Sequence, residues 1–240
     1  MRKRILTFKF LRVDYVHSMT TPRIGKVLHA SIDKLYVGSE EFLAEIEAGL
    51  GASKISAPKV GYQGVAGSFG EQAAREYFGE TASAITNYKE FEDVFLALEQ
   101  GEIDYGVLPI ENSTAGDVLE VADLITQCNL YVVGEHIIRV RHNLLGVQGA
   151  STKNVREVYS HPQAISQCRD FLRHHSEINA YPYANTALAA KFVAETHDPA
   201  KASIGSLRAA ELYGLDILEK NIQTAKNNYT RFVILSRHLE

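Results

Sequence analysis

Residues 59–112 read KVGYQGVAGSFGEQAAREYFGETASAITNYKEFEDVFLALEQGEIDYGVLPIEN. Short apolar runs alternate here with amphipathic ones. Val60-Gly61-Tyr62-Gln63 is a strand, and a glycine-rich turn leads from it into a helix over 69–78. Ser68 and Glu71 stand at capping-box spacing before that helix, and Gly79 is its stop. Residues 84–88 form a second strand. Phe91, Val94, Phe95 and Leu98 then share one helical face, with Gly101 following. Residues 104–109 read as a buried strand, after which Val118, Val121, Ala122 and Ile125 recur at helical spacing. This β-α-β-α-β-α succession predicts a parallel sheet with right-handed crossovers.

Downstream, residues 130–140 and 143–147 are strands in a connecting region, and the alternation then restarts. Strands are expected over 155–160, 178–183, 202–205 and 229–235, with helices over 162–174 and 186–195. Two α/β runs joined by a long connection predict two lobes facing a cleft, a common seat for a small molecule. Upstream, residues 1–57 lack sustained periodicity apart from a short helix over 40–50. The small, turn-prone residues 51–58 are a linker by composition. The expected division is therefore an extension over 1–57 of unknown role and a two-lobed unit over 58–238. Its lobes are approximately 58–137 plus 224–238, and 138–223.

The chain has 240 residues, 45% of them hydrophobic and 22% charged, as in an ordinary globular protein. No apolar run approaches the roughly 20 residues of a membrane helix. Met1-Arg2-Lys3-Arg4 resembles a signal peptide's basic region, but Lys9, Arg12 and Asp14 break up any apolar stretch behind it, so no export signal is expected. Two cysteines, Cys128 and Cys168, suit buried thiols in a reducing cytoplasm better than a disulfide framework. The net charge of −4 argues against a nucleic-acid partner. It conceals an uneven distribution. Residues 1–56 hold nine Lys/Arg against six Asp/Glu, and the remainder sixteen against twenty-three. Yet 136–156 contains Arg139, Arg141, Lys153 and Arg156 without a carboxylate, and 220–238 contains Lys220, Lys226, Arg231 and Arg237 likewise. Solvated faces account for such stretches, and so does a small dianionic ligand.

The polar clusters fall at strand ends. Gly61, Gly64, Gly67 and Gly70 match neither a dinucleotide fingerprint nor a P-loop; they make either a tight turn or an amide cradle for an anion. Asn112-Ser113-Thr114 follows one strand, where Ser113 and Thr114 either cap the next helix or face a ligand. Ser160-His161-Pro162-Gln163 follows another, and Asn185-Thr186 a third. His161 is a candidate acid or base, or else bonds the turn before Pro162. No His/Cys/Asp set has metal-ligand spacing, so no metal is expected, and no nucleophile elbow is present. Arg231, inside the apolar strand Thr230-Arg231-Phe232, requires a partner.

Residues 59–235 resemble the prephenate dehydratase catalytic domain. The matching pieces are Gly61-Tyr62-Gln63-Gly64 with Gly67-Ser68-Phe69, Leu108-Pro109-Ile110-Glu111-Asn112-Ser113, Ser160-His161-Pro162-Gln163-Ala164 with Gln167-Cys168, Asn185-Thr186-Ala187, and Ala209-Ala210-Glu211-Leu212-Tyr213-Gly214-Leu215. Asn228-Tyr229-Thr230-Arg231-Phe232 matches the family's Thr-Arg-Phe signature. The resemblance implies two α/β subdomains of the type II periplasmic-binding-protein kind around the active site. It implies conversion of prephenate to phenylpyruvate, water and CO₂ in phenylalanine biosynthesis, without a cofactor, in a cytoplasmic homo-oligomer (dimer or higher) with no nucleic-acid or membrane partner. Arogenate, the amino analogue, is the alternative substrate, and a non-catalytic small-acid binding module the alternative class. Thr230 maps to the family's essential threonine. Glu111 and His161 are its expected catalytic supports, and Arg231, Phe232, Asn112, Ser113, Ser160, Gln163, Asn185, Thr186 and Ser68 the expected substrate contacts. Family members usually continue after Thr-Arg-Phe into a phenylalanine-binding ACT domain, and some carry an N-terminal chorismate mutase. This sequence ends soon after the signature, and 1–57 is too short for a mutase, which leaves feedback regulation by phenylalanine open.

Overall fold

The computed structural model describes residues 55–238; the helix expected over 40–50, with most of the 1–57 extension, lies outside them. The first lobe runs β1 (Lys59–Gln63), α1 (Phe69–Phe78), β2 (Ala84–Tyr88), α2 (Phe91–Gln100), β3 (Tyr105–Asn112), the two-residue β4 (Gly116–Asp117), α3 (Leu119–Gln127) and β5 (Tyr131–Arg139). The second runs β6 (Asn143–Gly146), β7 (Glu157–Ser160), α4 (Pro162–Gln167), α5 (Arg169–His174), β8 (Asn179–Pro182), α6 (Thr186–Thr196), β9 (Lys201–Gly205), α7 (Leu207–Tyr213) and β10 (Asp216–Glu219). The chain then returns to the first lobe as β11 (Tyr229–Ser236).

The sheets follow one plan. In the first, the order is β2-β1-β3-β11-β5, with β4 beside β3; in the second it is β8-β7-β9-β6-β10. Each has three parallel strands, then one antiparallel strand that the chain supplies on crossing between lobes. These are the expected two α/β subdomains.

Local sequence accounts for most elements. α2 begins with a capping box between Glu90 and Asp93 and ends at Gly101 in the left-handed conformation. It buries Val94, Phe95, Ala97 and Leu98; full burial of a side chain such as Leu98 stabilises by roughly 1.5–3 kcal/mol. Helices cover both faces of β3, so Val107 joins the core under α1 and Leu108 the core under α2 and α3.

Several expectations change. The strand expected over 104–109 extends to Asn112 because β11 and β4 pair with its end. The helix expected over 162–174 breaks at Cys168, which is fully buried with φ −108°. The freed carbonyl of Gln167 accepts Thr224 N at 2.8 Å, so the returning chain seats in the break. Ser113 and Thr114 cap no helix, since β4 intervenes and α3 begins only at Leu119. α7 and β10 add to the expected elements; β10 is an almost wholly exposed edge strand without apolar alternation, and α7 buries only Ala209 and Ala210.

The lobes are clamped at the glycine-rich turn. Ser206 Oγ donates to Gly67 O at 2.9 Å and Tyr213 OH to Ala66 O at 3.1 Å. Gly67 has φ +88°, and a Cβ there would meet Ala209 Cα at 3.3 Å, so glycine answers both the conformation and the contact. Ser68 caps α1 by accepting Glu71 N at 3.3 Å. The Glu71 carboxylate does not reach back to the cap residue as a capping box requires. It accepts the Gly67 amide at 2.6 Å and pairs with Arg75 at 2.6 Å and with Arg208 of α7 at 3.5 Å. The chain's own carboxylate thus fills the Gly67 amide position.

Burial opposes the charge of Glu71, but the Gly67 amide, Arg75 and Arg208 outweigh it and hold the carboxyl below the usual range. Glu71→Gln should lower the unfolding free energy at pH 7 by about 2 kcal/mol in urea titrations. A carboxyl lowered on folding stabilises above its unfolded pKa of about 4.3 and loses that contribution as pH falls through the folded value. Variant and parent should therefore converge in acid.

Candidate active site

Thr230, the second residue of β11, lies opposite Asn112 at the end of β3, a register set by the antiparallel pairing of the two strands. Asn112 Oδ1 accepts the backbone amides of Thr114 at 3.1 Å and Ala115 at 3.0 Å. Two backbone donors settle the amide's orientation, so its nitrogen faces Thr230. That nitrogen lies 2.8 Å from Thr230 Oγ1 and 3.0 Å from Asn228 Oδ1.

The second lobe completes the cluster. Gln167, the last residue of α4, donates through Nε2 to Thr114 Oγ1 at 2.7 Å and accepts Asn228 Nδ2 at 3.1 Å. His142 Nε2 lies 2.8 Å from the same Gln167 oxygen. Burial lowers the His142 pKa, and the bond to Gln167 only partly offsets this, so the ring is neutral at pH 7 and donates. The donors then run head to tail: His142 to Gln167, Gln167 to Thr114, Thr114 Oγ1 to Asn112 Oδ1 at 2.8 Å, and Asn112 to Thr230. Thr230 Oγ1 receives at the end of the chain and keeps its own hydrogen for another acceptor. Aligned donors of this kind strengthen one another.

Thr230, Phe232 and Ile234 alternate onto the α1 side of the sheet, where Phe232 is core. Arg231 points to the other face. Its partner is Glu111, directly across the ladder, with Nη2 3.6 Å from Oε2. With Ser113, Ile137 and Tyr229 they line a cavity of about 300 Å³. Ser113 Oγ accepts Tyr229 N at 2.9 Å and donates to Asn227 O at 3.2 Å, pinning the start of β11.

The other expected residues have identifiable local duties. Ser160 is fully buried and donates to Ile204 O at 2.7 Å, tying β7 to β9. His161 caps α4, its Nδ1 accepting Gln163 N at 3.3 Å. Asn185 caps α6 by accepting Leu188 N at 2.8 Å, and Thr186 is the first residue of that helix. Among the described residues no hydrogen bond joins Glu111, His161, Ser160, Gln163, Asn185, Thr186 or Ser68 to Thr230. Sequence reasoning assigned no role to Gln167, Asn228 or His142. Gln167 and Asn228 stood inside quoted motifs, and Gln167 also ends the first turns of a helix whose break was not foreseen. His142 carried no periodic or spacing signal. Among the described residues, no group of three or more His, Cys, Asp or Glu side chains is placed to hold a metal ion.

Two α/β lobes with a directed polar cluster between them define a small-molecule site rather than a macromolecular surface. The family model for prephenate dehydratase matches residues 60–240, and the chain belongs to that family. The bifunctional chorismate mutase/prephenate dehydratase of Buchnera aphidicola (subsp. Acyrthosiphon pisum) is 36% identical over 188 residues, covering 78% of this chain and 49% of the relative. Arogenate dehydratase/prephenate dehydratase 1 of Arabidopsis thaliana is 39% identical over 179 residues, covering 75% and 45%. This chain thus spans about half the length of the curated relatives it matches. A solved structure described as GqqA, a novel type of quorum-quenching acylase, is 32% identical with a TM-score of 0.69, covering 75% of this chain and 64% of that one.

Removing the Gln167 amide strips Thr114, Asn228 and His142 of a shared partner. Gln167→Leu should cost about 1–3 kcal/mol in urea unfolding, and it should lower turnover beyond what reduced folded population explains.

Proposed function

We propose that this protein converts prephenate to phenylpyruvate with loss of water and CO₂. Family membership supports the reaction, and one observation carries the assignment of its centre: Thr230 Oγ1 accepts from Asn112 at 2.8 Å, at the end of a donor chain that spans both lobes. The reaction balances as prephenate dianion plus one proton giving phenylpyruvate, CO₂ and water. The ring carboxylate's C–C bond breaks, its electron pair enters the ring, and the ring C–O bond breaks as hydroxide leaves with the proton.

Aromatisation drives the step strongly forward, so the protein's contribution is orientation and protonation of the leaving group. Thr230 donates its free hydrogen to the departing hydroxyl, and Asn112 holds it in the donating rotamer. A neutral hydroxyl is a weak acid, so the donor chain behind it matters: it supports the negative charge that develops on Oγ1 until a proton from solvent restores the hydroxyl. Arg231 and Glu111 brace the strand from the opposite face, which fits the bracing role better than direct contact with the breaking bonds. His161 sets the start of α4 and so the position of Gln167 at its end. A neutral His142 and amide donors suit a dianion, since none of them adds negative charge to the cleft. No cofactor enters this scheme. Unpaired Cys128 and Cys168 fit a cytoplasmic setting, and the family resemblance favours a homo-oligomer.

Arogenate is the second reading, favoured by the plant relative that carries both activities in its name. The two substrates differ only in a keto or amino group on the side chain. Purified protein should be incubated with prephenate and with arogenate, following phenylpyruvate and phenylalanine, with an N-acyl homoserine lactone as a third arm because of the acylase neighbour. Phenylpyruvate from prephenate is the expected result. Product from arogenate alone moves the substrate, hydrolysis of the lactone's N-acyl amide alone moves the reaction class, and binding without turnover leaves a ligand-binding module. Thr230→Val keeps the side chain's shape without its hydroxyl. It should cut kcat by about 100-fold or more while KM changes only a few-fold; near-parental turnover would remove Thr230 from the mechanism.

A further inference from the structure

A groove of about 620 Å³ runs between the lobes, lined from the first lobe by Phe69, Ile137, Arg139 and Arg141 and from the second by Leu207 and Arg208. Its charges are not equivalent. Arg75 and Arg208, also on its wall, pair with the buried Glu71, and Arg208 pairs with Glu211 at 3.5 Å as well. Glu76 faces His136 at 3.0 Å. Arg139 and Arg141 have no carboxylate within ion-pairing distance among the described residues. They lie two apart around buried Val140, on the extended segment that leaves β5, so they project to the same side. Arg139 is steadied by donating to Lys226 O at 2.9 Å and by lying 6.0 Å over the Tyr229 ring. Arg141 makes no side-chain contact of this kind among the described residues. In the same wall Arg208 Nε is buried without a hydrogen-bond partner among the described residues.

The groove also has an apolar side. Phe69, Ile137 and Leu207 line it, with Ile137 and Leu207 48% and 44% exposed. Phe69 also meets the His142 ring edge-on at 6.0 Å, so it touches both the groove and the His142 end of the donor chain. Two uncompensated guanidiniums beside apolar side chains match a small dianion with a hydrocarbon ring.

We propose that Arg139 and Arg141 form a carboxylate subsite in the interlobe groove, which captures one carboxylate of a ring-bearing dicarboxylate on its approach to the site. The inference rests on the dehydratase reading for the ligand's identity, though not for its chemistry. Guanidinium forks bind carboxylates in two-point contacts, and uncompensated charge in a groove raises the capture rate of anions.

Binding is measured by calorimetry in the Thr230→Val background, where prephenate turnover is slowed about 100-fold or more. Benzylmalonate serves as a stable ring-bearing dianion and hydrocinnamate as the matching monoanion. Arg139→Gln/Arg141→Gln should weaken prephenate and benzylmalonate about tenfold or more, weaken hydrocinnamate much less, and flatten the dependence of benzylmalonate affinity on salt. Arg139→Lys/Arg141→Lys should recover part of the loss, and Arg173→Gln, an exposed arginine on α5, should leave all three ligands unaffected. An unchanged melting temperature in the Gln variant excludes misfolding, and both side chains are exposed. Equal affinity of parent and Gln variant for benzylmalonate would overturn the subsite even if the parent turns over prephenate. Conversely, a parent that does not turn over prephenate but loses benzylmalonate binding in the Gln variant would overturn the dehydratase reading and leave the subsite standing.

Discussion

The pairing of Thr230 with Asn112 is the constraint on which the rest of the site depends. The two residues are separated by 118 positions and meet only because the last strand leaves the second lobe and inserts antiparallel between β3 and β5. The insertion is secured on both sides. Val140 N donates to Asn228 O at 2.8 Å, and Ser113 N donates to Tyr229 O at 2.9 Å. A slip of one residue along β11 would turn Thr230 away from Asn112 and present Arg231 in its place. The buried apolar residues of the strand resist that slip, because Phe232 and Ile234 fill one core and Val233 and Leu235 the other.

The crossing strands explain why the site lies between the lobes. β11 enters the first sheet and β6 the second as the equivalent antiparallel member. Their approaches run side by side: Ile222 N donates to His142 O at 2.9 Å just before β6, and Asn228 precedes β11. Each approach thus delivers a polar side chain to the same place, His142 from one and Asn228 from the other. Both are buried to within 2%, where an unmatched polar group is costly. Gln167 bonds both, through His142 Nε2 and Asn228 Nδ2, while His142 Nδ1 has no hydrogen-bond partner among the described residues, so the integrity of the cluster is linked to the position of the lobes.

Electrostatics divides the same region into two parts. At the clamp, Glu71 consumes the Gly67 amide and the charges of Arg75 and Arg208, so the glycine-rich turn serves lobe docking. Arg139 and Arg141 keep their charge on the open groove nearby. A net charge of −4 is therefore compatible with an anionic ligand, because the carboxylates are absent from the stretch that lines the approach.

Much of this was legible from the chain alone where the physics is local. Period-2 and period-3.6 apolar spacing, glycine stops and capping residues place α1, α2 and β2, because these depend on neighbours a few positions away. The Thr-Arg-Phe signature pointed to Thr230, and the oddness of an arginine in an apolar strand pointed to a partner for Arg231. The identity of that partner, Glu111, required the register between β3 and β11. The break of the helix at Cys168 was hidden because the segment that bonds the freed carbonyl, at Thr224, lies far along the chain. The anion cradle suggested by the glycines became a seat for Glu71 for the same reason: Arg208 and the start of α7 come from the other lobe. Sequence determined which segments fold as strands and helices and which motifs accompany them. Tertiary structure decided which polar groups share hydrogens, since a donor chain from His142 to Thr230 exists only once two crossing strands bring distant residues within 3 Å.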